Sequence, residues 1–202
     1  MTKPELIYFD APGRAEPIRM LLHFAGIDYE DTRFPGSEWP AVKETTPLGF
    51  VPVMKIDGKQ YCQSQSLIRY AAKLANWYPA SEFQALKCDM VGETINELVG
   101  MAPKSQDPDE LKKLRQEFQK AGFTKIWKFI EGIIQENGGT LISGSSPTFA
   151  DLLIQQSVVM IKAGFWDHID TNFFDDYPGI NATCKAIEEN EKVKAYLAAK
   201  EK

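Results

Sequence analysis

Histidine is nearly absent from this chain: its 202 residues include two, His23 and His168. A zinc centre built on several imidazoles, or an H-E-x-x-H helix, cannot be assembled from them. Cysteine is almost as scarce, with three residues, Cys62, Cys88 and Cys184. An odd number without a C-x-x-C pair fits free thiols in a reducing compartment better than a disulfide framework. Runs of lysine or arginine are missing, and the net charge of −5 has the wrong sign for displacing counterions from a nucleic acid. Long apolar runs are missing too. Stretches such as Ile154 to Ile161 stop well short of the ~20 residues of a membrane span. The opening MTKPELIYFD lacks the apolar core of a signal peptide. A cytoplasmic protein without nucleic-acid or membrane partners is the expectation. Two motif matches fail on their own terms. Gly139 to Ser146 has Ser145 where a phosphate loop needs lysine. Asn181-Ala-Thr183 fits a glycosylation acceptor but needs secretion to matter.

With 44% hydrophobic and 25% charged residues, the chain can bury a real core, and disordered or collagen-like classes are excluded. Its first part alternates strand and helix patterns. Glu5 to Phe9 reads as a strand, Ala11-Pro12-Gly13 as a turn, and Arg14 to Phe24 as an amphipathic helix. Tyr29 to Phe34 reads as a second strand, followed by an irregular stretch from Pro35 to Pro47. Val51 to Ile56 and Lys59 to Cys62 flank Asp57-Gly58, a strong hairpin signal. Ser64 to Ala75 reads as a helix with Ser64 as its N-cap. After a linker at Asn76 to Ser81 the strand pattern ends. Glu82 to Ala102 has helical spacing, and a long helix is predicted from Pro108 to Asn137. Thr148 and Asp151 mark the capped start of another, and Pro178 and the Glu191 to Lys202 tail frame two shorter ones. The predicted division is an α/β domain at 1–80 and an all-helical domain at 81–202.

Open α/β sheets bind ligands outside the carboxyl ends of their strands. Tyr8 and Phe9 end the first strand there. Val51-Pro52 opens a later strand with an X-Pro bond, the setting in which a cis-proline bends the chain and leaves a backbone edge for an extended peptide. Gln63-Ser64 place an amide and a hydroxyl at a helix N-terminus, where free N–H groups favour a carboxylate. Together these describe a groove for a short, extended, acidic peptide with a phenol at one side.

In order and spacing, Y-F-x-x-x-G-R-A-E at Tyr8 to Glu16, W-P-x-x-K at Trp39 to Lys43, G-F-V-P at Gly49 to Pro52, and Gln63-Ser64 followed by Arg69-Tyr70 resemble the cytosolic glutathione S-transferases. The pattern is most similar to the sigma class, which includes glutathione-dependent prostaglandin D synthases. The resemblance implies a thioredoxin-like α/β N-terminal domain, an all-α helical-bundle C-terminal domain and a homodimer. It further implies glutathione as co-substrate, with transfer to hydrophobic electrophiles. Other classes of the superfamily use an N-terminal serine or cysteine; here the first serine is Ser37 and the first cysteine Cys62, which leaves a tyrosine.

The resemblance assigns roles by position. Tyr8 donates to the glutathione thiolate, and Arg14 stabilises the same charge or fixes Tyr8. Trp39 and Lys43 hold the glycine end, Gly49 to Pro52 form the wall along which Val51 pairs with the cysteinyl backbone, and Gln63 with Ser64 takes the γ-glutamyl carboxylate. Glu97 reaches the γ-glutamyl amine from the partner subunit. Phe9, Ala11, Pro12, Val99, Pro103 and Lys104 line the electrophile pocket. Two departures bear on the substrate. Asn96 between Glu93 and Glu97 weakens the acidic metal cluster of the prostaglandin synthases, so no metal is expected. Lys104 stands where those enzymes carry a tryptophan platform. Leu48 replaces the aromatic key with which several classes lock their dimers. Alternatives are a prostaglandin D synthase type of isomerase and a non-catalytic, crystallin-like protein, the latter disfavoured by the intact groove.

Overall fold

A computed structural model describes residues 2–200. The chain forms two compact units, Met1–Tyr78 with Lys192–Lys202, and Pro79–Glu191. The predicted division therefore needs one correction. The C-terminal segment, expected in the helical domain, belongs to the α/β unit.

In that unit β1 (Glu5–Phe9), β2 (Glu30–Phe34), β3 (Val53–Ile56) and β4 (Lys59–Tyr61) form one sheet in the order β2-β1-β3-β4. β1 runs parallel to β2, with Tyr8 opposite Arg33, and antiparallel to β3, with Leu6 opposite Met54. The β3–β4 hairpin turns on Asp57 and Gly58, both at positive φ (49° and 76°), the backbone that matches the strands' twist. Leu6, Val53 and Met54 are fully buried. α1 (Glu16–Phe24) packs on α3 (Ser64–Ala75), where buried Ala71, Ala72 and Ala75 permit close approach. Between β2 and β3 the irregular stretch contains one short helix, α2 (Trp39–Glu44). Ser64 is not the cap of α3. Gln63 holds that place with φ 75° and no side-chain cap bond, and Ser64 is the first helical residue.

The second unit holds α4 (Glu82–Met101), α5 (Pro108–Phe118), α6 (Thr124–Glu136), α7 (Phe149–Lys162) and α8 (Pro178–Glu188). The long helix predicted over 108–137 is interrupted. A π turn at Gln119–Phe123 separates α5 from α6, with Gly122 weakening the helix and the Thr124 hydroxyl donating to the Gln119 carbonyl. Aromatic rings pack this core edge to face: Phe123 to Phe173 at 4.7 Å and Trp127 to Phe174 at 4.8 Å. α7 starts on the predicted capping box, in which Asp151 accepts from the Thr148 N–H and hydroxyl at 2.8 and 2.6 Å and from Ile142 N–H at 2.8 Å. α8 is capped by Glu131, whose carboxylate accepts from the N–H groups of Gly179 and Ile180 at 2.8 and 2.9 Å. Gly179 is needed there, since a Cβ would stand 2.9 Å from Glu131 and Ile134 side-chain atoms. The final helix α9 (Glu191–Lys200) lies on the α/β unit, its Lys192 ammonium donating to the Phe24 carbonyl at 3.2 Å. Among the described residues no helix is long and apolar enough to cross a membrane.

Candidate active site

Alternation along β1 buries Leu6 in the sheet's packed face and sends Tyr8, two residues on, to the same side at the strand's carboxyl end. The chain then turns through Ala11 and Pro12 into a single 3-10 turn, Gly13–Ala15. That turn folds back on Tyr8. The Arg14 N–H donates to Tyr8 Oη at 3.2 Å. With that lone pair occupied, the phenol's own proton is left to be donated elsewhere. Gly13 makes the approach possible: its φ is +43°, and a Cβ there would stand 2.6 Å from Tyr8 Oη. The Arg14 side chain is exposed on the same turn.

Trp39, Val51 and Pro52 lie near that strand end. Phe9, on the opposite side of β1 from Tyr8, packs against Phe34 at 4.8 Å and Trp39 at 5.4 Å. Trp39 is thus fixed at the start of α2, and Lys43 follows one turn later. The Lys43 stem lies along Gly49, its Cε 3.2 Å from where a Gly49 Cβ would be, and Gly49 has φ +67°. Antiparallel pairing of Ile7 with Val53 carries Pro52 and Val51 alongside the end of β1. The Val51–Pro52 peptide is cis. Phe50 is 67% exposed. Gln63, at positive φ, turns the chain into α3 and places the buried Ser64 in a first turn that carries no acidic residue. Glu97, Val99, Pro103 and Lys104 belong to the helical unit. Glu97 and Val99 are exposed on α4, Lys104 is exposed beyond it, and the Pro103 carbonyl accepts from Arg115 Nε at 2.7 Å.

The sequence reading missed Arg19, although the structure sets it directly behind Tyr8. Its guanidinium is 1% exposed and its Cζ lies over the Tyr8 ring, 5.9 Å from the centroid. Glu16 stood in the quoted motif without a role; it is buried and ion-paired to Arg19 at 3.1 Å. The available signal was a charged pair three residues apart in the apolar stripe of Ile18, Leu21 and Leu22. The protein's own buried thiols make poor nucleophiles. Burial pushes both Cys88 and Cys184 up to about 12.

Comparison with known proteins decides the family. The family model described as "Glutathione S-transferase, N-terminal domain" matches residues 9–80, and "Glutathione S-transferase, C-terminal domain" matches 93–200. The chain belongs to the glutathione S-transferases. A mosquito "Glutathione S-transferase" (Anopheles gambiae) is 31% identical over 205 residues, covering 96% of this chain and 95% of that one. "Glutathione S-transferase S1" of Drosophila melanogaster is 31% identical over 199 residues, covering 95% and 76%. Among solved structures, prostaglandin synthase D of Nilaparvata lugens superposes with a TM-score of 0.85 at 27% identity, covering 97% of each chain. The monomeric Na-GST-3 of the hookworm Necator americanus gives 0.78 at 28%, covering 98% and 97%. The transferase fold is thus a mixed four-stranded sheet with helices, followed by a helical domain. Its family activity is conjugation of glutathione to electrophiles.

Proposed function

We propose that this transferase is a sigma-class enzyme in which Tyr8 donates a hydrogen bond to the glutathione thiolate and that thiolate attacks a hydrophobic electrophile. The observation that carries this reading is the Tyr8 hydroxyl at the end of β1, accepting from the Arg14 N–H and so left with a proton to give. A free thiol titrates near 8.5, and lowering it by about 2 units requires about 2.7 kcal/mol of preferential thiolate stabilisation. One hydrogen bond to a charged group, worth about 1.5–3 kcal/mol, is of that size, with the Arg14 charge adding to it. In this reading Tyr8 stabilises the thiolate and does not abstract its proton.

Glutathione lies extended along Val51, with its glycine carboxylate toward Trp39 and Lys43 and its γ-glutamyl carboxylate at Gln63 and Ser64. The first turn of α3, without an acid of its own, supports that last placement. Phe9, Ala11, Pro12, Val99, Pro103 and Lys104 are proposed for the electrophile. No metal takes part in the proposed reaction. The enzyme is proposed to work in the cytoplasm as a homodimer, with Glu97 serving the partner subunit's glutathione. Exposed Phe83, Leu86 and Met90 form a stripe at helical spacing on α4 that a second subunit would cover. Leu48, 55% exposed, offers no aromatic key, and the hookworm relative is monomeric; sedimentation decides the point. A monomer that binds glutathione tightly would contradict the role of Glu97.

Titration of the bound thiol by thiolate absorbance tests the central claim. The expected result is a value about 2 units lower in wild type than in Tyr8→Phe, with conjugation at neutral pH reduced at least tenfold in the variant. An unchanged thiol pKa would sink the role given to Tyr8. The overlay on a prostaglandin synthase favours one further reading, isomerisation of an eicosanoid-like substrate. A product screen with aryl halides, hydroperoxides and a prostaglandin endoperoxide separates the two.

A further inference from the structure

Arg19 is the centre of a buried network in the α/β unit. Its Nε donates to both carboxylate oxygens of Asp31 on β2, at 3.0 and 3.1 Å. Its Nη1 donates to the carbonyls of Ala11 and Pro12, at 3.0 and 3.2 Å, and to Glu16 at 3.1 Å. Nη2 is buried without a hydrogen-bond acceptor among the described residues, and the guanidinium lies over the Tyr8 ring, within reach of a cation–π attraction. The two carbonyls belong to the turn that leads into Gly13 and Arg14. Holding that turn holds the Arg14 N–H, and with it the direction of the Tyr8 hydroxyl.

Glu16 is itself held from the far end of the chain. Tyr196 Oη donates to Glu16 Oε1 at 3.0 Å and Lys200 Nζ at 2.6 Å. Burial raises the Glu16 carboxyl, but the hydrogen bond and charge of Lys200, then Tyr196 and Arg19, outweigh it and hold the group below the usual carboxylate range. Burial and the Glu16 charge raise Tyr196, which therefore donates as a neutral phenol. Asp31 is shared with Arg33 at 2.8 Å, and Arg33 also reaches Asp10 at 3.5 Å. Tyr29, pushed up to about 12 first by burial and then by the Asp31 charge, stays neutral. The cations Arg19, Arg33 and Lys200 balance the anions Asp10, Glu16 and Asp31. A fully desolvated guanidinium is costly unless its forks are satisfied, so loss of one anion leaves Arg19 free to seek another partner and release the turn.

We propose that Arg19 is a positioning residue for Tyr8, and that the C-terminal helix sets Arg19 through Tyr196, Lys200 and Glu16, so that detachment of α9 weakens thiol activation while glutathione binding persists. This rests on the role given to Tyr8 above. The relay is a chain of contacts in order: α9 to Glu16, Glu16 to Arg19, Arg19 to the Ala11 and Pro12 carbonyls, and the turn to Tyr8. The residues to be changed, Tyr196, Lys200 and Arg19, have no place against the peptide groove, which separates positioning from binding.

The experiment measures the bound thiol's pKa, kcat and the KM for glutathione in Tyr196→Phe/Lys200→Met, in Lys200→Arg, and in Arg19→Lys where it folds. The relay predicts a bound-thiol pKa raised by about 0.5–1 unit in the double variant, kcat lowered about 1.5- to threefold at pH 7 and about three- to tenfold at pH 5.5, and KM within twofold of wild type. Lys200→Arg restores the wild-type value because it keeps the charge on Glu16. Arg19→Lys, which keeps one charge but not the fork, behaves like the double variant or worse. Combining Tyr8→Phe with Tyr196→Phe/Lys200→Met adds no further shift if the relay acts through Tyr8; full additivity overturns it. An unshifted thiol in Tyr196→Phe/Lys200→Met, beside a shifted one in Tyr8→Phe, refutes the relay and leaves the Tyr8 reading standing. An unshifted thiol in Tyr8→Phe itself removes both.

Discussion

Glu16 in the α/β unit and Asp151 in the helical unit both stand in the first turn of a helix, 4% and 0% exposed, yet they are stabilised by different kinds of partner. Glu16 faces formal charges. Arg19, Lys200 and the Tyr196 hydroxyl converge on it, the last two from 184 and 180 residues away. Among the described residues Asp151 accepts hydrogen bonds from dipoles, the N–H groups of Ile142 and Thr148 and the Thr148 hydroxyl, all within nine residues. The consequence is opposite titration. Burial pushes Asp151 up to about 6 despite its hydrogen bonds, whereas the charges around Glu16 keep it low. Charge pairing ties distant segments together and makes each end answerable to the other. Dipole capping closes a local structure and involves nothing beyond it.

Glu16→Ala should have the largest effect. It leaves Arg19 buried without one of its two anions, and loss of about 3–5 kcal/mol in urea unfolding is expected. A loss under about 1 kcal/mol would mean that Asp31 and the turn carbonyls satisfy Arg19 alone, and the contrast with Asp151 would fail. The pH dependence comes next. Asp151, raised in the folded state, contributes stability that is fully present below the unfolded value near 3.8 and is lost as pH rises through about 6. A shift of that size corresponds to about 3 kcal/mol. Asp151→Asn should therefore gain on wild type between pH 4 and pH 7. Glu16→Gln should do the reverse, because a lowered carboxyl contributes stability above the ordinary carboxylate range and loses it as pH falls through the folded value. Parallel slopes in the two variants would erase the distinction. Thr148→Ala removes one donor to Asp151 and the cap of α7, for about 1–2 kcal/mol, with no change in the bound thiol. Gly13→Ala is the smallest in stability, about 1–2 kcal/mol for a left-handed backbone, but a Cβ 2.6 Å from Tyr8 Oη should cost conjugation at least tenfold.

Local features were legible in the residues. The strand ending in Tyr8 and Phe9, the Asp57-Gly58 hairpin and the Thr148–Asp151 cap each rest on neighbours in the chain, and each was found where it was expected. Two expectations failed and one buried residue was missed. Ser64 is a good capping residue by type, but Gln63 adopts the positive φ that begins α3. The helix predicted through Pro108 to Asn137 has a continuous apolar pattern, and periodicity does not distinguish an α turn from the π turn at Gln119–Phe123. Arg19 went unassigned because the partners that make its burial tolerable, Asp31 and the Ala11 and Pro12 carbonyls, are assembled only by the fold.

Residue identity by itself excluded a centre of several histidines and a C-x-x-C pair and put a tyrosine at the end of the first strand, the residue to which the family resemblance assigns the glutathione thiol. Only the tertiary structure decided that the last helix returns to the first unit and that Glu16 and Arg19 stand buried behind Tyr8. The physical reason is range: turns and caps are set by neighbouring residues, whereas the cost of burying a charge is met by partners that folding gathers from anywhere in the chain.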